Sequence, residues 1–406
     1  MSFQKVKFEN AQGELLAARI DFPPDNQPEA YALFAHCFTC TKNLRAVGHI
    51  SSALTQAGCA VLRFDFTGLG ESEGDFADAN FSSNVDDLVV AANFLAQNYK
   101  APKILVGHSL GGAAVLQAAA KISSSVAVAT IGAPYDPQHV TQLLESSLEE
   151  IAAKGEAVVN LAGRSFKIKK QFLDDLEMTS VFERIRKLDR ALLVCHSPID
   201  ETVGVENAAQ IFKAAKHPKS YLSLDRADHL LSDSSDSFYV GAMIAAWAAK
   251  YLDAPPAQDS LEPQVPKGVF VRTGTEHWRT EIRANRHALI ADEPIAAGGA
   301  DLGPTPYDLL VAGLGACTSM TLRMYAEHKK WPLQDVEVEL HHRKIHAKDC
   351  SDCETKTGKI DKIERKITLH GPLDDQQRQR LLQIADRCPV HRTLHSEIKV
   401  ETTLKS

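Results

Sequence analysis

Short apolar runs alternate with amphipathic stretches through the first half of the chain. The clearest apolar runs lie at 31–36, 60–66, 103–109 and 126–134. Between them, apolar residues recur at the three- and four-residue spacing of one helix face. Strict alternation of strands and helices is typical of βαβ units, which build a parallel sheet covered on both faces. The pattern predicts an α/β domain with a mostly parallel, doubly wound sheet over residues 1–252.

The next apolar run, at 191–197, follows after an interval that is too long for a simple crossover. This interval spans about residues 136–188 and ends in a hairpin-like segment. Its first part keeps an amphipathic spacing, at Leu143, Leu144 and Leu148. We expect the interval to form a small helical cap over the carboxyl edge of the sheet.

A proline-rich segment then divides the chain. Residues 253–266 contain four prolines, which interrupt both helices and strands. We interpret this segment as an interdomain linker. Residues 267–406 show hairpin-like strands, two helices and a last apolar-alternating strand at 398–404. Strands segregated from helices in this way predict a second, α+β domain.

Composition narrows the choice of partners. The chain has 406 residues, 44% of them hydrophobic and 24% charged, which is ordinary for a globular protein. A formal net charge of −7 gives no basic footprint for nucleic acid, so small-molecule substrates are expected. The first residues lack the apolar core of a signal peptide, and no run of 18 apolar residues occurs. We therefore expect a cytoplasmic protein with no membrane partner, no bound cofactor and mostly reduced cysteines.

The strongest motif is the sequence Gly-His-Ser-Leu-Gly at 107–111, between an apolar strand and a helix-forming run. In that context the glycines permit a sharp strand-to-helix turn that exposes the hydroxyl of Ser109. A serine hydroxyl is a poor nucleophile until an imidazole accepts its proton and a carboxylate orients that imidazole. The motif therefore predicts a serine nucleophile and requires a histidine and an acid elsewhere in the chain.

Chain order supplies the two partners. Asp200 follows the apolar run at 191–197, and His229 follows the last strand predicted in this domain. The carboxyl ends of parallel strands share one edge of a sheet, where Ser109 is also expected. Asp225 and Asp228 remain alternatives for the acid, in which case Asp200 would be a turn residue.

With these motifs, residues 1–252 resemble the α/β-hydrolase superfamily, to which the segment 62–72 is also similar. The resemblance implies a catalytic triad of Ser109, Asp200 and His229. Acyl transfer also needs two backbone donors for the oxyanion, and we expect the amides of Leu110 and Phe38 to supply them.

The loop of Phe38 reads His-Cys-Phe-Thr-Cys at 36–40, with Cys37 where the family usually has glycine. Cys37 and Cys40 form a Cys-x-x-Cys pair, for which we favour packing in the loop over a redox or metal role.

Two further cysteines lie on predicted helices of the second domain. Cys317 lies on an apolar helix that begins after Thr305, and Cys388 lies on one face of a later helix that Pro389 is expected to end. By spacing alone these are either small core residues or a redox pair.

Both segments, 303–322 and 385–394, resemble the two cysteine motifs of the OsmC/Ohr family. The resemblance implies that Cys317 is the peroxidatic thiol and Cys388 the resolving thiol of an organic hydroperoxide reductase. It also implies a homodimer with sites at the interface. Tyr307 occupies the position of the family's glutamate, with Asp308 beside it. The family's activating arginine has four candidates, namely Arg272, Arg279, Arg283 and Arg286.

One more cluster precedes the last strands. His346, Cys350 and Cys353 could join His341 or His342 in binding zinc, although a solvated loop is the favoured interpretation.

Together these features predict a carboxylic-ester hydrolase fused to an OsmC-like thiol domain that acts on hydroperoxides. In one alternative the second domain is a non-catalytic dimerisation or binding module. In another the hydrolase is a peptidase or a thioesterase, since all three share the triad and differ in the cap.

Overall fold

A computed structural model describes residues 2–161, 164–178, 182–252, 268–275, 277–285, 287–347 and 357–404. Two compact units divide the chain. The first comprises residues 1–272 with 281–289, and the second comprises residues 273–280 with 290–406. The proline-rich segment 253–266 lies outside the described residues.

The first unit is built on an eight-stranded sheet with the strand order β1-β2-β4-β3-β5-β6-β9-β10. The strands of this sheet are β1 (Ser2–Glu9), β2 (Leu15–Phe22), β3 (Ala30–Ala35), β4 (Cys59–Phe64), β5 (Ile104–His108), β6 (Ala127–Ile131), β9 (Ala191–His196) and β10 (Lys219–Ser223). A separate hairpin, formed by β7 (Glu156–Leu161) and β8 (Arg164–Lys169), lies between β6 and β9 in the chain. The first two strands are antiparallel to their neighbours, and every later pairing in the sheet is parallel. The predicted mostly parallel sheet is confirmed.

Helices of the first unit cover both faces of this sheet and form part of the cap. They are α1 (Arg45–Gln56), α2 (Phe81–Asn98), α3 (Leu110–Ala118), α4 (Leu148–Lys154), α5 (Lys170–Met178), α6 (Phe182–Arg186), α7 (Glu206–Ala214) and α8 (Ser234–Ala249). One apolar core joins the sheet to α2 and α3, and a second core joins its other face to α1 and α8. Strands buried on both faces explain why the sequence shows continuous apolar runs and no polar alternation.

The long interval between β6 and β9 contains a 3₁₀ segment, Pro137–Ser147, followed by α4, the hairpin β7–β8, α5 and α6. The hairpin alternates buried and exposed residues, so that Ala157, Val159 and Leu161 point inward. These side chains and Phe172 of α5 join the same core as α2 and α3. The cap is therefore fastened to the sheet through apolar contacts.

Residues 268–404 contain the elements of an α+β domain, whose first three strands fall mostly in the first compact unit. These elements are β11 (Val269–Thr273), β12 (Thr280–Ala284), β13 (His287–Ala291), α9 (Pro306–Lys329), β14 (Asp335–His346), β15 (Lys359–His370), α10 (Asp375–Ala385) and α11 (Pro389–Leu394). β11, β12 and β13 form one small sheet, and β14 pairs with β15 in another. Among the described residues, α9 alone has the length and apolar composition that crossing a membrane would need, which buried helices of soluble proteins also have.

Two details differ from the sequence expectations. Cys388 does not lie on the same helix as Leu381. Instead, α10 ends at Ala385, and Cys388 caps the separate helix α11, which Pro389 begins. Proline is favoured at the first position of a helix, so it marks a start here and not a stop. The expected last strand at 398–404 is not a strand, because its backbone pairs with no other strand of the described chain.

Candidate active site

Ser109 lies in a strained turn between β5 and α3. Its backbone adopts φ 55° and ψ −128°, a conformation that is rare for residues other than glycine. Tight packing around the turn holds it there. A Cβ on Gly107 would overlap the carbonyl oxygen of Gly111, and a Cβ on Gly111 would overlap that of His36. The two motif glycines are therefore required by close backbone approach on either side of the serine.

The structure brings Ser109, His229 and Asp200 together. His229 Nε2 lies 3.0 Å from Ser109 Oγ, and His229 Nδ1 lies 2.8 Å from Asp200 Oδ2. The ring can therefore accept the serine proton at one nitrogen while donating to the carboxylate from the other. Asp225 and Asp228 make only local contacts, to Ser223 Oγ and the Ser232 amide respectively. Of the three acids considered, the geometry selects Asp200.

Asp200 is held in its charged form. Burial alone would raise the pKa of this carboxyl group. Hydrogen bonds from His229 and from the amides of Val203 and Thr202 outweigh burial and lower the pKa below its usual value. The two amides lie 2.9 Å from Asp200 Oδ1, which leaves Oδ2 for the imidazole. The carboxylate is thus fixed in both charge and orientation.

A second histidine supports the backbone of the first. His108 Nε2 lies 2.7 Å from the carbonyl oxygen of His229, so that nitrogen must carry the proton and donate. Burial and the neighbouring His229 lower the pKa of His108 to about 4. It therefore stays neutral at neutral pH and adds no positive charge beside His229.

Gly132 closes the site from the end of β6. Its φ is +53°, and a Cβ there would lie 3.2 Å from Asp200 Oδ2 and 3.3 Å from His229 Nδ1. The position thus combines a left-handed backbone with direct proximity to the hydrogen bond between the two side chains. Sequence analysis did not single out this glycine, because nothing local to the IGAP segment reveals which side chains it approaches.

The two expected oxyanion donors lie on neighbouring segments. Leu110 is the first residue of α3, so its amide has no acceptor inside the helix. Phe38 lies in the loop after β3, and within the described residues its amide donates to no backbone acceptor. The Phe38 ring stacks on Phe172 at 5.1 Å and packs against Phe76 at 5.4 Å. The loop is thereby anchored under the cap by aromatic contacts.

The structure corrects the interpretation of Cys37 and Cys40. Sequence analysis favoured simple loop packing, whereas the two residues form a disulfide. The amide of Cys40 also donates to the carbonyl of Cys37, so the segment is a tight turn whose ends are close enough to be bridged. The disulfide-bridged turn contains Phe38, whose amide is one of the two expected oxyanion donors.

Cys317 and Cys388 converge on the first turn of α11. The amide of Val390 donates to Cys317 Sγ at 3.5 Å, and the amide of His391 donates to Cys388 Sγ at 3.3 Å. Both sulfurs are free thiols, Cys388 being fully buried and Cys317 partly exposed. The two cysteines that the sequence analysis paired therefore share one site.

Among the described residues, two further free cysteines, Cys59 and Cys195, differ from this pair. Burial raises the pKa of Cys59 and of Cys195 to about 12, so both remain protonated and inert at neutral pH. They act as small apolar residues of the sheet.

The arginine near the thiols is one that sequence reasoning missed. Arg365, on β15, donates to Thr318 Oγ1 at 3.0 Å, next to Cys317 in the chain. Two of the expected arginines are engaged elsewhere, since Arg272 pairs with Glu281, and Arg283 pairs with Asp25 and Glu29.

Of the other two candidates, Arg279 interacts with the carboxylate of Asp292, and Arg286 lies outside the described residues. Tyr307, at the position of the family's glutamate, stacks on His342 at 4.1 Å. Asp308 accepts hydrogen bonds from Thr305 at the start of α9.

The zinc ligands of the less favoured interpretation fall partly outside the described residues. Cys350 and Cys353 lie outside the described residues. His342 bonds to Asp361 and His341 to Glu339, which are exposed pairs between or within strands. No group of three or more candidate metal ligands occurs among the residues that are described.

Comparison with known proteins is consistent with both units. The family model for alpha/beta hydrolases matches residues 32–343, and that for OsmC-like proteins matches residues 298–403. The esterase domain of a Rhodothermus marinus protein is 55% identical, covering 62% of this chain and 100% of that one with a TM-score of 0.53. Mouse alpha/beta hydrolase domain-containing protein 10 shares the fold at 22% identity, covering 61% of this chain and 99% of that one, with a TM-score of 0.52.

A curated mouse protein, the mitochondrial palmitoyl-protein thioesterase ABHD10, is 27% identical over 188 residues. That match covers 44% of this chain and 62% of the mouse protein. The chain therefore spans less than two thirds of that relative's length.

We predict that Gly132→Ala displaces the hydrogen bond between His229 and Asp200. The added methyl group would press on both partners, so the low-field proton resonance of the His229 Nδ1 hydrogen in NMR spectra should shift or disappear. Gly155→Ala is a matched control, because Gly155 also has a positive φ, +80°, but a Cβ there meets nothing within 4 Å. Both variants should lose about 1 kcal/mol of stability through backbone strain. An unchanged resonance in Gly132→Ala would contradict the close approach.

Proposed function

The chain belongs to the alpha/beta hydrolase family and carries an OsmC-like domain, and from that premise we propose that it hydrolyses carboxylic esters through an acyl-enzyme on Ser109. The observation that carries this proposal is the position of the His229 ring, within hydrogen-bond reach of both Ser109 Oγ and Asp200 Oδ2. Each donor and acceptor in this chain of contacts has the polarity that general-base catalysis needs.

In the proposed reaction, Ser109 Oγ attacks the ester carbonyl carbon while His229 Nε2 takes the hydroxyl proton. The negative charge of Asp200 stabilises the imidazolium that forms. The amides of Leu110 and Phe38 donate to the oxyanion, and the intermediate collapses when His229 returns the proton to the departing alcohol. Water then repeats the sequence on the acyl-enzyme and releases the acid. Neutral His108 supports this cycle, because a second cation beside His229 would oppose its protonation.

The choice between an oxygen ester and a thioester as the substrate rests on the comparison with known proteins. The 55% identity to an esterase domain favours an oxygen ester. The more distant mouse relative acts as a palmitoyl-protein thioesterase by name, which makes thioester hydrolysis the alternative. The same three side chains serve both reactions, and a thiolate leaving group needs less help from the imidazolium. Parallel turnover of matched oxygen esters and thioesters decides between them.

We predict that Ser109→Ala lowers kcat for a short p-nitrophenyl ester by about 10³-fold or more, because no other group can form the acyl-enzyme. The measurement is initial-rate kinetics, together with a thermal melt that verifies folding. Ser124→Ala is the control, since Ser124 Oγ donates to the carbonyl of Pro102, which precedes β5 at the end of the strand opposite to the motif. Undiminished turnover in Ser109→Ala would refute the assignment.

For the second unit, we propose reduction of organic hydroperoxides by Cys317 and Cys388. The support is that backbone amides from the same helix turn donate to both sulfurs, an arrangement that favours thiolates. The thiolate of Cys317 would attack the O–O bond, giving a sulfenic acid and releasing the alkoxide as an alcohol after protonation. Cys388 would then displace hydroxide from that sulfur, forming a disulfide and water. The alternative is a binding module in which the two thiols stay reduced.

We predict that one equivalent of cumene hydroperoxide converts Cys317 and Cys388 into a disulfide, which peptide mass spectrometry detects. Cys59 and Cys195 provide an internal control, because their raised pKa keeps them protonated and they should remain unmodified. Two free thiols at 317 and 388 after this treatment would favour the binding module instead.

We also propose that the protein self-associates through the OsmC-like domain. The support is an apolar surface on α9, where Met320 and Met324 are 64% and 70% exposed, unusual for adjacent turns of a helix in a monomer. In the same unit, Ile398 and Val400 of the segment 398–404 are also exposed apolar side chains. A second copy of the same unit would cover such a surface and remove it from water.

We predict that Met320→Glu with Met324→Glu shifts the protein from dimer to monomer, because the interface would then bury uncompensated charges. Light scattering after size-exclusion chromatography measures the mass. The control is Met178→Glu in the first unit, since Met178 is 87% exposed but is not part of this surface. A wild-type protein that is monomeric at high concentration would contradict the proposal.

A further inference from the structure

A chain of polar contacts runs from a cation to the buried sulfur of Cys388. Arg365 Nη1 donates to Thr318 Oγ1 at 3.0 Å, and the same oxygen lies 3.6 Å from Cys388 Sγ, within the range of a hydrogen bond to sulfur. Thr318 and Cys388 are both fully buried. Water therefore does not compete for these contacts, and the threonine hydroxyl is the group through which the charge of Arg365 reaches the sulfur.

The hydroxyl of Thr318 has one proton and two acceptors within reach. Leu314 O lies 2.8 Å away, and Cys388 Sγ lies 3.6 Å away. Because Arg365 donates to Thr318 Oγ1, it polarises the hydroxyl and leaves its proton for one of these two acceptors. A neutral thiol is a weak acceptor, so the carbonyl holds the proton in the resting state. A thiolate is a far stronger acceptor, so ionisation of Cys388 turns the hydroxyl toward the sulfur.

The cation is fixed in place. Arg365 also donates to Ala385 O at 3.2 Å and to Asp386 Oδ1 at 2.6 Å, and its side chain is 13% exposed. Ala385 and Asp386 lie in the turn that leads into Cys388, so one guanidinium orders both the hydroxyl and the backbone beside the sulfur. The amide of His391 gives Cys388 Sγ its second donor, at 3.3 Å.

We propose that Thr318 and Arg365 form a donor relay that stabilises the thiolate of Cys388 when it resolves the oxidised Cys317. This rests on the hydroperoxide chemistry proposed above. In that step the thiolate of Cys388 attacks the sulfur of the Cys317 sulfenic acid, the S–S bond forms and the S–O bond breaks. Hydroxide leaves and takes a proton to become water. Thr318 touches the reacting sulfur, and Arg365 is a positioning residue that acts through it.

The test compares two substitutions of Thr318 in the full chain. Thr318→Val keeps the shape but removes the hydroxyl, and Thr318→Ser keeps the hydroxyl. After one equivalent of cumene hydroperoxide, quenched mass spectrometry with dimedone follows the Cys317 sulfenic acid and the disulfide separately. In Thr318→Val the disulfide should form about tenfold more slowly or worse, as expected for losing a hydrogen bond to a charged group, and the sulfenic acid should accumulate. Thr318→Ser should restore the wild-type rate.

Two controls separate the relay from packing. Ser319→Ala removes the neighbouring exposed hydroxyl, which bonds only to Ala316 O, and should leave both rates unchanged. Arg365→Met should behave like Thr318→Val, whereas Arg343→Met on the adjacent strand should not, since Arg343 pairs with exposed Glu364. If Arg365→Met does not fold, the contrast between valine and serine at 318 still decides.

The two proposals fail in different ways. If the wild-type protein forms neither sulfenic acid nor disulfide, the hydroperoxide chemistry itself is wrong. If the wild-type protein forms the disulfide and Thr318→Val forms it at the same rate, the relay is overturned while the chemistry stands. Equal slowing in Thr318→Val and Thr318→Ser would also overturn it, because the hydroxyl would then make no difference.

Discussion

The strained backbone at Ser109 is the constraint on which the rest of the first unit depends. A non-glycine residue at φ 55° costs on the order of 1–3 kcal/mol and persists only where its surroundings fix it. Here a fully buried strand ends directly before the serine and a buried helix begins directly after it, while Gly107 and Gly111 allow neighbouring backbone to approach. The packing of the sheet therefore supplies the energy that holds the hydroxyl exposed.

The exposed hydroxyl of Ser109 also needs an imidazole beside it, and this imidazole belongs to His229, which is distant in the chain. His229 is positioned from three directions, by the Asp200 carboxylate at its ring, by His108 at its carbonyl and by the absence of a side chain at Gly132. These contacts leave none of their own groups unpaired, since the Asp200 carboxylate, His108 Nε2 and His229 Nδ1 each have a hydrogen-bond partner. The charge in the site is also limited, because burial keeps His108 neutral while hydrogen bonds keep Asp200 ionised.

Sequence reasoning located what depends on chain order and local pattern. Parallel strands bring their carboxyl ends to one edge, so the residues after β5, β9 and β10 could be placed together without coordinates. Sequence reasoning could not locate contacts that depend on the register of paired strands. Arg365 lies opposite Leu340 in the pairing of β14 with β15, and only that register brings it to Thr318. Pro389 was misinterpreted for a different reason. Proline also occupies the first position of helices, so a proline alone does not show whether a helix ends or begins.

The nucleophiles proposed for the two units lie in opposite electrostatic settings. A serine hydroxyl stays protonated until it attacks, so Ser109 needs an acceptor, which His229 Nε2 supplies at 3.0 Å. A cysteine reacts as the thiolate, so it needs donors, and the sulfurs of Cys317 and Cys388 each receive a backbone amide. Cys195 shows what burial does by itself, since it raises the pKa of that thiol to about 12, and burial is also the largest cause of the same rise in the pKa of Cys59. Burial of Cys388 is compatible with the proposed thiolate chemistry because donors reach its sulfur, and this makes the hydroxyl of Thr318 the group whose removal is most informative.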